Sequence, residues 1–298
     1  MEQWSMPSDD AVTTMVVMVP IDDLERACDV VWTHGAYGFE ERAIDEQHVE
    51  LVLGPDDALA RALSDADTMG RWTIRYEQTS SASLEQWRQW AEPVWIDDQL
   101  VVEPAWTPQR VDPAEPGQRA FERIIIDPEA SFGMGDHPTT LLCARALRQH
   151  LVGNPAERPT VLDVGCGSGI LSIVALVSGS GSVTAIDLSA AAVETTRRNG
   201  ERNGVEIEAA TTPLCQIADT FDIVVANLLA PIIDELADHL IESVSPGGIL
   251  IVSGLLERQL NTARQRLSAP GLLLETARAS ASGWGSLSFL KPTDGSPS

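Results

Sequence analysis

The chain has 298 residues, 44% of them hydrophobic and 21% charged, a globular composition with room for one large core and one smaller one. A formal net charge of −24 repels phosphate backbones, so no direct nucleic-acid readout is expected. No apolar run approaches the ~20 residues of a membrane helix, and the opening Met1-Glu2-Gln3, soon followed by Asp9 and Asp10, lacks the basic start of a signal peptide, so a cytoplasmic protein with no membrane partner is expected.

Residues 1–79 read as a small α+β unit. Val12–Val19 is an apolar, β-branched run closed by Pro20, and predicts a strand. Asp22 and Asp23 open a helix toward Gly35, with Leu24, Ala27, Val30 and Val31 at helical spacing. His48–Leu53 predicts a second strand, Asp56–Ala66 a second helix and Arg71–Glu77 a third strand. This stretch is acidic: residues 1–100 hold 21 acidic and 6 basic side chains. The excess either draws a Lys-rich partner or keeps the chain soluble. Only one lysine, Lys291, stands among 19 arginines.

Residues 80–120 read as a Trp- and Pro-rich linker. It carries Trp87, Trp90, Trp95 and Trp106 among Pro93, Pro104, Pro108, Pro113 and Pro116. A helix is expected around 83–91, then extended segments, with the tryptophans either packing or meeting a ligand.

From 121 to 298 the pattern alternates. Val161–Val164, Ser182–Ile186, Phe221–Ala226 and Ile249–Ser253 are short apolar runs separated by longer helical stretches, which predicts a parallel sheet covered on both faces. Leu272–Ala281 and Trp284–Leu290 break the alternation as a hairpin, placing a final antiparallel strand at the sheet edge. Cys28, Cys143, Cys166 and Cys215 form no CxxC pair, so buried free thiols are expected and no metal site.

The chemistry centres on VLDVGCGSGIL at 161–171. A buried strand runs into Gly165, Gly167 and Gly169, and a helix follows. Glycines let a ligand approach the backbone, and the helix start offers N–H groups to a carboxylate or phosphate. The spacing is GxGxG rather than the GxGxxG of dinucleotide folds. Asp163, two residues before the first glycine, opposes a pyrophosphate and suits an ammonium group. Asp187 ends the next strand, 22 residues after Gly165, where a carboxylate accepts ribose hydroxyls. This set points to S-adenosyl-L-methionine and resembles the class I, Rossmann-like methyltransferases. The resemblance implies a seven-stranded α/β sheet whose last strand is reversed.

Two further segments narrow the family. DPEASFGMGDHPTTLLCARAL begins at Asp127: Gly133 and Gly135 bend it, and His137-Pro138-Thr139-Thr140 starts a helix. His137 there is either a structural or a catalytic residue. In VVANLLAPII at 224–233, Asn227 follows the fourth strand, as a ligand contact or a helix cap. With the Trp-rich junction at 85–106 and GWGSLSFLK at 283–291, these segments resemble the PrmA-type ribosomal protein methyltransferases. The resemblance implies an N-terminal ferredoxin-like recognition domain. It implies cofactor contacts at Thr140, Gly165, Asp187 and Asn227, beside Asp163, Gly167 and Gly169 of the turn. The implied substrate is a large-subunit ribosomal protein, L11, methylated on lysine side chains or its N-terminal amine. Asn227 would orient amine or cofactor, and His137 would accept a proton. Asn227 is followed by Leu228-Leu229-Ala230, not the NPPY of amide and adenine methyltransferases. Met134 and Asp136 depart from the family's usual loop. They leave open another protein or small-molecule substrate, or cofactor binding without catalysis.

Overall fold

The computed structural model describes residues 11–33, 40–45, 47–54, 57–80, 92–106, 121–127, 135–152, 158–268, 271–281 and 283–293. The helix expected at 83–91, with Trp87 and Trp90, lies outside these residues, as do Gly133 and Met134. The chain divides into two compact units, Met1–Ala91 and Glu92–Ser298. Among the described residues no helix is long and apolar enough to cross a membrane.

In the first unit, β1 (Ala11–Pro20) leads through a 3₁₀ turn into α1 (Leu24–Thr33). Then follow β2 (Glu40–Ala43), β3 (His48–Leu53), α2 (Asp57–Ala66) and β4 (Thr73–Ser80). The strand order is β2-β3-β1-β4, and all neighbours are antiparallel. Alternate residues explain the core. Met15, Val17 and Val19 of β1 and Val49, Leu51 and Leu53 of β3 point to one side, where Ala27, Val31, Leu59 and Leu63 of the helices cover them. The sequence reading missed β2. Its four residues, Glu-Glu-Arg-Ala, show no apolar alternation because β2 pairs on one side only, at the sheet's edge.

In the second unit, β5 (Val94–Asp97), β6 (Leu100–Pro104) and β7 (Glu122–Ile126) form a three-stranded sheet. The β5–β6 hairpin is held by α3 (Pro138–Val152): Arg145 Nε donates to Ile96 O at 2.7 Å, and Arg148 Nε donates to Asp97 Oδ2 at 2.5 Å.

The main sheet is built from β8 (Thr160–Val164), β9 (Ser182–Ile186), β10 (Glu208–Ala210), β11 (Phe221–Asn227), β12 (Val244–Leu256), β13 (Leu273–Ala279) and β14 (Trp284–Leu290). Its helices are α4 (Ile170–Val177), α5 (Ala190–Arg202), α6 (Ala230–Glu242) and α7 (Leu260–Ser268). The order is β10-β9-β8-β11-β12-β14-β13. The strands from β10 to β12 are parallel, and β14 runs antiparallel to both its neighbours. This is the seven-stranded, class I methyltransferase-type α/β sheet expected above. One detail differs: β14 is inserted between β12 and β13, and β13 takes the edge. Burial explains the exchange. β14 is covered along its middle, whereas β13 alternates between exposed and half-buried residues, as an edge strand does.

Both faces of the sheet are packed. Val161, Ile223, Val225 and Ile251 join α3 and α4 in one core, while Leu162, Val164, Val224 and Val252 join α6 and α7 in the other. The chain steps outward from β8 to β10, then returns to place β11 on the other side of β8. A crevice therefore opens at the carboxyl ends of β8 and β11, the usual place for a ligand in an open α/β sheet.

Candidate functional site

β8 delivers the glycine turn to that crevice. Gly165, Gly167 and Gly169 have φ of 76°, 54° and 80°, left-handed values that penalise any side chain. Space is also closed. A Cβ on Gly165 would lie 2.5 Å from Leu228 Cδ2, and one on Gly169 would lie 3.0 Å from Thr196 Cα. The N–H groups of Gly165 and Cys166 donate to Ile186 O at 2.8 and 3.1 Å, which fixes the turn to the end of β9.

Asp187 stands at that end. Its Oδ2 accepts from the Gly167 N–H at 3.1 Å and its Oδ1 from the Ser189 N–H at 2.9 Å. Two backbone donors thus hold its carboxylate against the turn. Asp163, within β8, is fully buried. Its Oδ2 accepts from Ser172 Oγ at 2.6 Å, while its Oδ1 has no hydrogen-bond partner. Burial raises its carboxyl to about 6, Ser172 opposes the rise, and the nearby Asp187 charge adds to it.

On the other side of the crevice, Asn227 ends β11 and its Nδ2 donates to Thr140 Oγ1 at 3.3 Å. The following backbone presses on β12: a Cβ on Gly254 would lie 2.1 Å from Leu228 O. Gly135, where φ is 95°, packs its backbone against the first residue of α4, since a Cβ there would meet Ile170 Cδ1 at 2.8 Å. The structure therefore brings Gly165, Gly167, Asp187, Leu228, Asn227 and Thr140 to one crevice.

His137 sits at the start of α3. Its Nδ1 lies 2.7 Å from Thr139 Oγ1 and accepts the Thr139 N–H at 3.3 Å, the geometry of a helix cap. Its ring meets Trp284 edge to face, centroids 5.1 Å apart. Burial holds its pKa below the ordinary histidine value, against a smaller opposing effect of Asp136.

Sequence reading missed the residues that brace the turn from behind. Thr196 and Asn199 lie on one face of α5, and Asn203 caps its carboxyl end on the same side. Thr196 Oγ1 donates to Gly167 O at 3.1 Å, and Asn199 Nδ2 donates to Ser168 O at 2.9 Å. Polar residues in ETTRRNGERNG read as a wet helix face, yet Thr196 and Asn199 are fully buried. The cysteine expectation also needs correcting: Cys143 and Cys166 are buried, Cys28 is half-buried and Cys215 is exposed.

The site fits a ligand with an amino acid end and a sugar. The unpartnered Asp163 Oδ1 suits an ammonium, the turn and the start of α4 suit a carboxylate, and Asp187 suits a diol. Among the described residues, no group of His, Cys, Asp and Glu is arranged to hold a metal ion.

Comparisons with known proteins agree with this geometry. Residues 54–292 match the family described as ribosomal protein L11 methyltransferase (PrmA). A protein of that name from Ralstonia pickettii is 43% identical over 68% of this chain and 63% of its own length. Another, from Symbiobacterium thermophilum, is 34% identical over 84% of this chain and 77% of its own length. The crystal structure of ribosomal protein L11 methylase from Lactobacillus delbrueckii subsp. bulgaricus superposes with a TM-score of 0.60 at 28% identity, covering 68% of this chain and 100% of that one. The chain spans 63 and 64% of the length of the first two curated relatives it matches. With the family matched across most of its length and a glycine turn, two braced carboxylates and an Asn–Thr pair at the sheet's switch point, the chain belongs to the ribosomal protein L11 methyltransferase family.

Proposed function

We propose that the chain transfers methyl groups from S-adenosyl-L-methionine to amines of large-subunit ribosomal protein L11, on lysine side chains or the N-terminus. The observation that carries this reading is the Asp187 carboxylate bonded to the Gly167 N–H, facing the Asn227–Thr140 pair across the crevice. A cytoplasmic location follows from such a substrate. We assign the βαββαβ unit, with the strand order of ferredoxin-like folds, to substrate recognition; the acidity of residues 1–100 favours a Lys-rich partner there.

The bound cofactor supplies an electrophilic methyl on a sulfonium. The chain's part is to bind, orient and keep out water. Gly165, Gly167, Gly169 and Thr140 take the amino acid end with Asp163, and Asp187 takes the ribose. Asn227 spends its Nδ2 on Thr140, which leaves its Oδ1 to accept an N–H from the incoming amine and aim the lone pair. A lysine with pKa near ~10.4 must arrive neutral, which a low-dielectric crevice favours. The hydrogen bonds of His137 support a different role from proton acceptor. Its Nδ1 accepts a backbone N–H, so the neutral ring carries its proton on Nε2 and offers a donor.

The test is methyl transfer from labelled S-adenosylmethionine to unmethylated L11. Label is expected on protein amines, lost in Asp187→Ala, and reduced by about 10²-fold in kcat in Asn227→Ala with cofactor still bound. Cofactor binding without label on L11 would overturn the substrate and send the search to another protein or a small molecule.

A further inference from the structure

Asn199 bonds in two directions. Its Nδ2 donates to Ser168 O at 2.9 Å and to Asp127 O at 2.8 Å; its Oδ1 accepts the Asp127 N–H at 3.0 Å and Arg202 Nη1 at 2.5 Å. A carboxamide has two donor hydrogens and two acceptor lone pairs, so every one is used. Ser168 lies between two glycines of the turn. Asp127 follows β7 and begins the segment that runs to His137 and Thr140. One helical turn later, Asn203 bonds the same strand edge: its Oδ1 accepts the Ile125 N–H at 2.7 Å and its Nδ2 donates to Ile125 O at 2.8 Å. The two side chains act on Ile125 and Asp127 as a neighbouring strand would. Asn203 Nδ2 also donates to Asn199 O at 2.7 Å, but its side chain makes no bond to the glycine turn, whereas Asn199 holds β7 and the turn together.

We propose that Asn199 is a positioning residue that couples the cofactor turn to the end of β7, so that ligand held at residues 165–169 also steadies Asp127. This rests on the reading of the turn as a cofactor site. Two sets of groups that share one saturated carboxamide cannot shift independently without breaking a buried hydrogen bond, and that shared cost is a coupling free energy. Thr196, one turn earlier on α5, bonds only the turn, through Gly167 O and Cys166 Sγ. Asn199 is therefore the node between the two sets.

The experiment compares Asn199→Ala, Asn199→Asp and Asn203→Ala, using S-adenosylhomocysteine as probe. Amide hydrogen exchange and calorimetric affinity are the readouts. Asn199→Asp keeps the shape, the acceptor for the Asp127 N–H and the Arg202 contact, so it serves if the alanine variant fails to fold. In the ligand-free protein, the Gly167 and Gly169 amides should exchange about tenfold faster in both Asn199 variants and unchanged in Asn203→Ala. In the wild type, the probe should slow exchange at the turn and at Asp127. In the Asn199 variants the probe should bind about tenfold more weakly and its effect should stop at the turn. Asn203→Ala should keep both responses. Equal effects of the Asn199 and Asn203 substitutions on the turn, or wild-type affinity and coupling in Asn199→Asp, would overturn the proposal. If the wild type does not bind the probe, the cofactor reading falls, and the ligand-free exchange still decides the role of Asn199.

Discussion

Asp163 is a carboxyl placed where ionisation is costly. Its folded value of about 6 stands above its ordinary 3.8, so ionisation costs more in the folded protein than in the unfolded chain. The sign follows from linkage: a raised folded value contributes stability fully present below 3.8 and lost as pH climbs through about 6. The contribution is on the order of 3 kcal/mol for a shift of this size. A cofactor ammonium beside Oδ1 reverses the preference, because it rewards the ionised form. Affinity for S-adenosylhomocysteine is therefore expected to fall as pH drops below 6, by up to about tenfold per unit, and to be flatter in Asp163→Asn. Calorimetric titration from about pH 5 to about pH 8, a range that spans the transition, checks this. Equal pH slopes in the two proteins would remove Asp163 from the ligand's charge balance.

Among the elements, the β5–β6 hairpin is tied to α3 by Arg145 and Arg148, and Arg148 is the buried one of the two. Arg148 is nearly fully buried, donates through Nε to Asp97 Oδ2, and reaches Ser178 Oγ at 3.1 Å through Nη1. It thus ties the hairpin's turn to the end of α4. Arg148→Met keeps much of the volume and loses both bonds. The expected cost is about 2–3 kcal/mol, less than for a fully buried pair because Asp97 regains water. Urea unfolding checks the value, and an unchanged midpoint would show that Arg145 and the apolar contacts hold the hairpin without Arg148.

Legibility from sequence followed the same physical lines. His48–Leu53 was legible to the residue because apolar residues fill it and Gly54 stops it. Glu40–Ala43 was hidden because an edge strand needs no apolar face. The glycine turn was legible because only glycine serves at its three left-handed positions. Asn199 was hidden because its partners, Ser168 and Asp127, are backbone groups far away in sequence, and backbone carbonyls leave no trace in residue type. Helical periodicity places Thr196, Asn199 and Asn203 on one face, but only the fold says that a buried turn lies against it.

Across the whole molecule, charge is the dominant long-range effect. A net charge of −24 repels itself, and raising ionic strength from ~0.1 M to ~1 M shortens the Debye length from ~10 Å to ~3 Å. Tm is expected to rise by on the order of 5 °C over that range in sodium chloride. Differential scanning fluorimetry is the check. A rise seen only with sulfate, which strengthens apolar burial in any protein, would mean that self-repulsion is not limiting stability.

The place of β14 has a consequence for how the molecule is made. It pairs with β12 on one side and β13 on the other, yet it is translated after both. While a nascent chain is still emerging from the ribosome, β12 presents an open edge lined by Ile249 and Ile251, and β13 has nothing to join. The sheet closes only when residues through Leu290 are free, so the glycine turn is synthesised well before the strand that completes the sheet. An mRNA broken before that point would yield a chain with its ligand turn encoded and its sheet edge unsealed, a product marked for aggregation or proteolysis rather than for partial activity.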